Sequence, residues 1–444
     1  MPITPPNTTS GLRRSIGIWR ASAMVAGIII GASIFVQPSE ILLAVPNGRA
    51  AIAVWLGAGL LTLIGALVIA ELASAWPASG GVYVYLKRAF SPAVGFLWGW
   101  AMFWTMHTGI IAIIAMIFAR YAATFVPVGP TGTKVMAIVA MIVLSAVNYR
   151  GVRHGSAVQV TLTLVKVMAL VLIIGMAFLL GDPAAPATAP ALATGAVTAD
   201  GIVMALIAGL FAYGGWHMVS YTAEETVDPT RTIPKALMIG TLTVTVLYVL
   251  ANAAYLHALG MERVAASTRV AAELADAVLG PAGGRVVSAL VMLSALGAMN
   301  GVILAGPRVY QAMAVDGLLF KWAAGLHPAF GTPHRAIALQ AAWAAVLIAT
   351  GTYRALFTRV VYTEWIFFAL LAVALFTLRR RHDYSPRYRV WGYPVLPALF
   401  IVSSAVIVIN QIIRTPAEAA TGLGIVLIGL PIYYVWVRRP TRSA

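Results

Sequence analysis

Few residues of this sequence can do chemistry, and most of those lie inside apolar runs. Lys166 sits about ten residues into the run that holds VQVTLTLVKVMALVL (158–172). A charge at the centre of a bilayer costs at least about 2.5 kcal/mol. An ammonium there therefore needs carbonyl partners, a functional role, or both. Glu364 lies deep in another run and is the best-placed carboxylate for proton coupling. Glu71 lies near a run's end, where a hydrogen-bonding or gating role fits it. His107 and His217 are the remaining titratable groups at depth. Each can titrate near neutral pH or touch a ligand, or stand neutral and hydrogen-bonded within a bundle.

Backbone is the second source of chemistry. In GIIIGASIFVQPSE (27–40) an apolar run carries Gly27, Gly31, Ala32, Ser33 and Pro38, all weak helix formers. At 1.5 Å per residue, Gly31 lies roughly 20 Å into its run, near the middle of a bilayer. GLFAYGGWHMVSYTAEE (209–225) places Gly214 and Gly215 at the same depth, approached from the opposite face. These glycines suit close helix packing. The matched depth points instead to two broken helices. A break frees N–H groups at the start of one half-helix, which suit a carboxylate, and C=O groups at the end of the other, which suit an ammonium. An α-amino acid carries both charges a few ångströms apart; other zwitterions satisfy the same geometry.

The elements that position these groups follow from composition. Of 444 residues, 61% are apolar and 10% charged, against about one quarter charged in soluble domains. Apolar runs near the ~20 residues of a transmembrane helix recur along the chain, and the alternating pattern of a β-barrel is missing. The sequence reads as an all-α polytopic membrane protein. Twelve spans are expected near 17–44, 49–76, 93–126, 134–149, 157–180, 200–224, 235–259, 285–313, 336–351, 355–378, 393–413 and 418–437. The first is read as a retained helix rather than a signal peptide, because it is long and lacks a cleavage signal. Zero cysteines remove disulfides, thiolate metal sites and cysteine nucleophiles. The net charge of +16 does not point to nucleic acid, since the basic residues are scattered singly between spans.

With both termini inside, 20 of the 30 basic residues fall on cytoplasmic segments, including Lys87, Arg88 and Arg379–Arg381. The positive-inside rule thus places both termini in the cytoplasm of a multi-pass plasma-membrane protein. Breaks five spans apart and opposite in direction match a 5+5 inverted repeat, whose sites lie where the breaks meet. The chain then divides into a cytoplasmic tail (1–16), a first repeat (17–180), an extracellular loop (181–199), a second repeat (200–378), helices 11 and 12 (379–437) and a cytoplasmic tail (438–444). Pro38 is read as a secondary kink in the outer half of the first span. Trp55, Trp76, Trp98, Trp100, Trp104, Trp365 and Trp436 are assigned to interfaces or packing. Glu224 and Glu225 flank the inner mouth and are expected to form gate ion pairs.

GIIIGASIF resembles the G-S-G-I-F signature of the amino acid–polyamine–organocation (APC) superfamily. FAYGGWHMVSYTAEETVDPTRTIPKA (211–236) is closer to its L-type amino acid transporter branch, which includes bacterial serine/threonine and alanine/serine exchangers. ELASAWPASGGVYVYLKRAFSP (71–92), MNGVILAGPRVYQAMAVDGLL (299–319) and YRVWGYPVLPALF (388–400) are similar too, so the resemblance covers nearly the whole chain. It implies a LeuT-type fold with broken helices 1 and 6 and alternating access. It implies that backbone at Gly31, Ala32 and Ser33 holds the substrate carboxylate and that carbonyls near Ile29, Phe211 and Gly214 hold its amino group. The Phe211 ring becomes a gate, and Tyr213, His217 and His107 belong to the gate and side-chain pocket. Lys166 takes the place of a sodium ion, bridging the first helix to the eighth near Ser294. Two positions depart from the pattern: Ser33 stands where glycine is frequent, and His217 stands where large-neutral-amino-acid members carry asparagine.

The function expected is sodium-independent secondary transport, exchanging neutral α-amino acids. The alternative is proton-coupled uptake of amino acids, including cationic ones, or of polyamines; that reading wants a carboxylate in the pocket, and the sequence places none near either break. A receptor would carry a signalling domain, and a membrane enzyme a catalytic constellation; neither is found. No cofactor, metal or nucleic acid is expected. The partners are amino acids and lipid, with no disulfide-linked subunit, in a monomer or homodimer.

Overall fold

The computed structural model describes residues 14, 16–78, 80–150, 152–181, 196–351 and 353–437. Most of the expected 181–199 loop and the two tails lie outside these residues. The first half of the chain forms α1 (Ile18–Ile29), α2 (Gln37–Ala44), α3 (Gly48–Ala75), α4 (Val82–Ala89), α5 (Pro92–Ala101), α6 (His107–Ala122), α7 (Pro130–Tyr149) and α8 (Val152–Leu180). The second half forms α9 (Ala199–Ala212), α10 (Pro229–Ala266), α11 (Val270–Leu279), α12 (Pro281–Val315), α13 (His334–Thr350), α14 (Tyr353–Leu378), α15 (Val395–Arg414) and α16 (Pro416–Val437). Among the described residues ten stretches are long and apolar enough to cross a membrane, and two shorter apolar helices, His334–Thr350 and Ala419–Val435, complete the twelve spans expected.

Local chemistry sets the ends. Asn47 caps α3 by accepting the Ala50 N–H at 3.0 Å, and Thr198 caps α9 by accepting the Gly201 N–H at 3.0 Å. Ser91 caps α5, with Pro92 in the first turn, where its missing N–H costs nothing. Pro38 has the same role in α2. It starts the second half-helix of its span rather than kinking it, which corrects the sequence expectation.

Three features were not anticipated. The short helices α4 and α11 connect spans where only loops were expected, their lengths too short to register as spans. The third span is also not one uniform helix: a π-helical turn at Met102–Met106 joins α5 to α6, and Thr108 Oγ1 donates to the Phe103 carbonyl at 2.6 Å.

The two interrupted spans occupy the middle of the bundle. α1 packs on α8, α10 and α12, while α9 packs on α2 and α3. Contact between α1 and α10 is close because residue 240 is glycine: a Cβ there would lie 2.5 Å from Val25 Cγ1. Asn148 Nδ2 donates to Asn300 Oδ1 at 2.8 Å and ties α7 to α12.

Candidate functional site

The first span breaks where the glycines placed it. α1 stops at Ile29, Ile30 leaves helical geometry (φ −68°, ψ 77°), and a 3-10 turn, Ser33–Phe35, precedes α2. Phe35 N–H donates to Ala32 O and Val36 N–H to Ser33 O. The N–H groups that open the turn, those of Ala32, Ser33 and Ile34, therefore have no partner within it. The sixth span breaks after α9. Gly214 N–H returns to Phe211 O at 2.9 Å, Gly215 takes φ +91°, and the chain continues as a 3-10 segment, Trp216–Glu225. Only glycine enters that region cheaply. A Cβ at residue 215 would also stand 2.5 Å from Ile28 Cγ2 of the facing span.

A cavity of about 500 Å³, including its open mouth, lies between the breaks. Gly31 and Ser33 line it from the first, and Phe211, Gly214 and Gly215 from the sixth. Ile110 and Ile114 of α6, Val302 of α12, and Val360, Val361, Glu364 and Trp365 of α14 close the remaining walls. Ser33 is buried, and its hydroxyl finds no hydrogen-bond partner among the described residues.

Lys166 reaches the first break from α8. Its ammonium donates to the Gly27 carbonyl and, at 2.8 Å, to the Ile30 carbonyl. It thus caps the end of α1 with a cation, where the helix dipole favours one. The expected bridge to α12 is not formed: Ser294 Oγ is buried with no hydrogen-bond partner among the described residues.

Tyr248 of α10 is a site residue that the sequence reading missed. Its hydroxyl lies 2.8 Å from Ile29 O and 3.2 Å from Ala212 O, the terminal carbonyls of α1 and α9, the first halves of the two broken spans. Ile29 O also accepts the Gly31 N–H at 2.6 Å, so its two lone pairs are already engaged. No local signal marks Tyr248, since a tyrosine in an apolar helix is ordinary until its neighbours are known.

Three expected pocket residues stand behind the lining. Tyr213 turns to α3, its hydroxyl 3.2 Å from Trp55 O. His107 Nε2 lies 2.8 Å from Val302 O, a hydrogen bond within the bundle. His217 is enclosed by Trp98, Trp216, Tyr221 and Phe368, with ring centroids 5.0 to 5.8 Å away. Trp365 and Glu364 differ in the other direction. Trp365 lines the cavity instead of only packing, and Glu364 puts a carboxylate beside both breaks.

The bundle end where the chain enters is held by ion pairs. Glu225 accepts from Arg308 at 2.7 and 3.2 Å, both side chains 5% exposed, and Ile16 N–H bonds to Glu225 O at 3.0 Å. Glu71, fully buried, accepts from Arg379 at 2.8 and 2.5 Å, from Val390 N–H at 2.6 Å and from the Tyr384 hydroxyl at 3.3 Å. The Glu71 hydrogen bond holds the Arg379 guanidinium above its ordinary pKa. Burial, and then the Glu71 charge, push the Tyr384 phenol up as well.

Two broken spans around a central cavity, in an all-helical membrane-spanning bundle, define a membrane permease. Residues 16–437 match the model of the amino acid permease family, and the chain belongs to that family. It is similar to the serine/threonine exchanger SteT of Bacillus subtilis (strain 168), at 31% identity over 97% of this chain and 98% of the relative. It is also similar to the human large neutral amino acids transporter small subunit 2, at 30% identity over 97% of this chain and 82% of the relative. The mouse Asc-type amino acid transporter 1 is 30% identical over 96% and 82%.

Proposed function

We propose that this permease exchanges neutral α-amino acids by alternating access and needs no sodium ion. The substrate carboxylate meets the N–H groups of Gly31, Ala32 and Ser33, with the Ser33 hydroxyl as an added donor. The amino group falls to the Gly214 carbonyl and the neighbouring Phe211 carbonyl, which it shares with the Gly214 N–H, while Ile29 O is held by Gly31 and Tyr248. Phe211 gates the cavity, and Tyr248 links the two carbonyl ends so that both breaks respond to one ligand. The reading divides the chain into inverted repeats at 17–180 and 200–378. It places both termini in the cytoplasm, so Glu225–Arg308 and Glu71–Arg379 hold the inner end, and the work is transport without catalysis.

The observation that carries this reading is the Lys166 ammonium on the Gly27 and Ile30 carbonyls. A fixed cation at the break supplies what a coupling sodium would supply and leaves the site complete without one. The similarity to SteT, a serine/threonine exchanger, supports the choice of mode. Proteoliposomes loaded with or without unlabelled L-serine test it. Uptake of labelled L-serine in sodium-free buffer is expected only with internal amino acid; uptake that requires sodium, or that proceeds equally into empty vesicles, overturns it.

A further inference from the structure

Glu364 is the one ionisable side chain among the residues that line the cavity. It is 6% exposed and lies eleven residues into α14, roughly 16 Å along the helix axis. The other buried carboxylates show how this fold treats such a group when its role is structural. Glu71 has a bidentate arginine and two further donors, and Glu225 has a bidentate arginine. Glu364 has no hydrogen bond or ion pair among the described residues.

The groups around it do not fill that role. His107 of α6 is bonded to Val302 O. On Trp216–Glu225, His217 is enclosed by aromatic rings, and Tyr221 packs edge-on against His217 with its hydroxyl 3.9 Å from Met102 Sδ. From α4, Tyr83 is bonded to Asp316 and the Tyr85 hydroxyl faces Ser220. At the two ends of the bundle, Glu71 of α3 is paired with Arg379, and Asp200 of α9 with Arg414 of α15. On α16, Tyr433 packs on Phe96. An ionised carboxylate in an apolar wall without a cation is costly, so Glu364 either holds its proton or faces a cation that enters through the cavity.

We propose that Glu364 is the specificity-determining group of this cavity. It holds a proton when the occupant is a neutral α-amino acid and releases it to water when the side-chain ammonium of a cationic α-amino acid takes its place. The charges balance in both states: a zwitterion with a protonated carboxyl, or a cationic amino acid with a carboxylate, gives the same loaded site. Exchange of one class for the other then moves one proton with the neutral partner and no net charge. This rests on the amino acid exchange proposed above and extends it to a second substrate class.

The test is competition by L-lysine against labelled L-serine exchange, from pH 5.5 to 8.5, with L-alanine as the neutral competitor. In the unmodified protein L-lysine is expected to strengthen at least about tenfold relative to L-alanine as pH rises. Glu364→Gln abolishes that strengthening, and Glu364→Asp, which keeps the carboxyl, retains it. A single elution peak and an unchanged unfolding temperature establish that both variants fold. The proposal is overturned if L-lysine fails to compete at every pH, or competes equally in Glu364→Gln. Scintillation-proximity binding of labelled L-lysine to the purified protein reads the same contrast without transport. A failure of exchange is thereby separated from a failure of Glu364.

Discussion

Lys166 and Tyr248 hold carbonyls that a continuous helix would have satisfied itself. Removing the ammonium leaves Gly27 O and Ile30 O buried without their donor, at about 1–3 kcal/mol for each unsatisfied group. Lys166→Ala should therefore lower L-serine exchange at least tenfold while the protein still elutes as a single folded species, with 1.4 kcal/mol corresponding to about a tenfold change. Undiminished exchange would remove Lys166 from the coupling machinery. Lys166 was legible in the sequence because a charge in an apolar run needs a reason. Tyr248 was not, because its hydroxyl becomes meaningful only when α1 and α9 end on either side of it.

At the scale of elements, the breaks do the positioning. Gly31 and the Gly214–Gly215 pair marked both correctly, since small and flexible residues at matched depth have few other uses. The cavity walls were harder to read. Val360, Val361, Glu364 and Trp365 follow the i, i+1, i+4, i+5 spacing of one helical face, but an almost wholly apolar helix gives no sign of which face turns inward. The sequence argument that no carboxylate lies near the breaks failed for this reason. The π-turn at Met102–Met106 was equally silent, because its extra residue per turn leaves no compositional mark. Gly215→Ala tests the second break. Left-handed backbone costs about 1–2 kcal/mol for a residue with a Cβ, and the added atom would lie 2.5 Å from Ile28 Cγ2. Exchange should fall at least about tenfold. Gly331→Ala, also at positive φ (+62°) but with nothing within 4 Å of its Cβ, should leave exchange near normal. Equal losses in both would reduce Gly215 to a matter of general strain.

For the whole molecule, the proposed alternating access requires that the end held by Glu225–Arg308 close and reopen. The Glu225–Arg308 pair and the Ile16 strap join the end of the sixth span to α12 and to the chain's first described residues. Breaking one side of a buried pair costs about 3–5 kcal/mol. Arg308→Ala should therefore raise deuterium uptake across residues 216–227 relative to the unmodified protein; unchanged protection would show that the pair does not hold this end shut. The central claim is that one amino acid sits between the two breaks, and the absence of cysteine from the sequence allows a direct measurement. Ser33→Cys places a lone thiol on the cavity wall, and its modification rate by a small methanethiosulfonate reagent can be followed during L-serine exchange. Saturating L-serine should slow modification at least about tenfold, while a cysteine at Gly129, outside the cavity, reacts at the same rate throughout. An unchanged rate at residue 33 in protein that still exchanges L-serine would place the amino acid elsewhere.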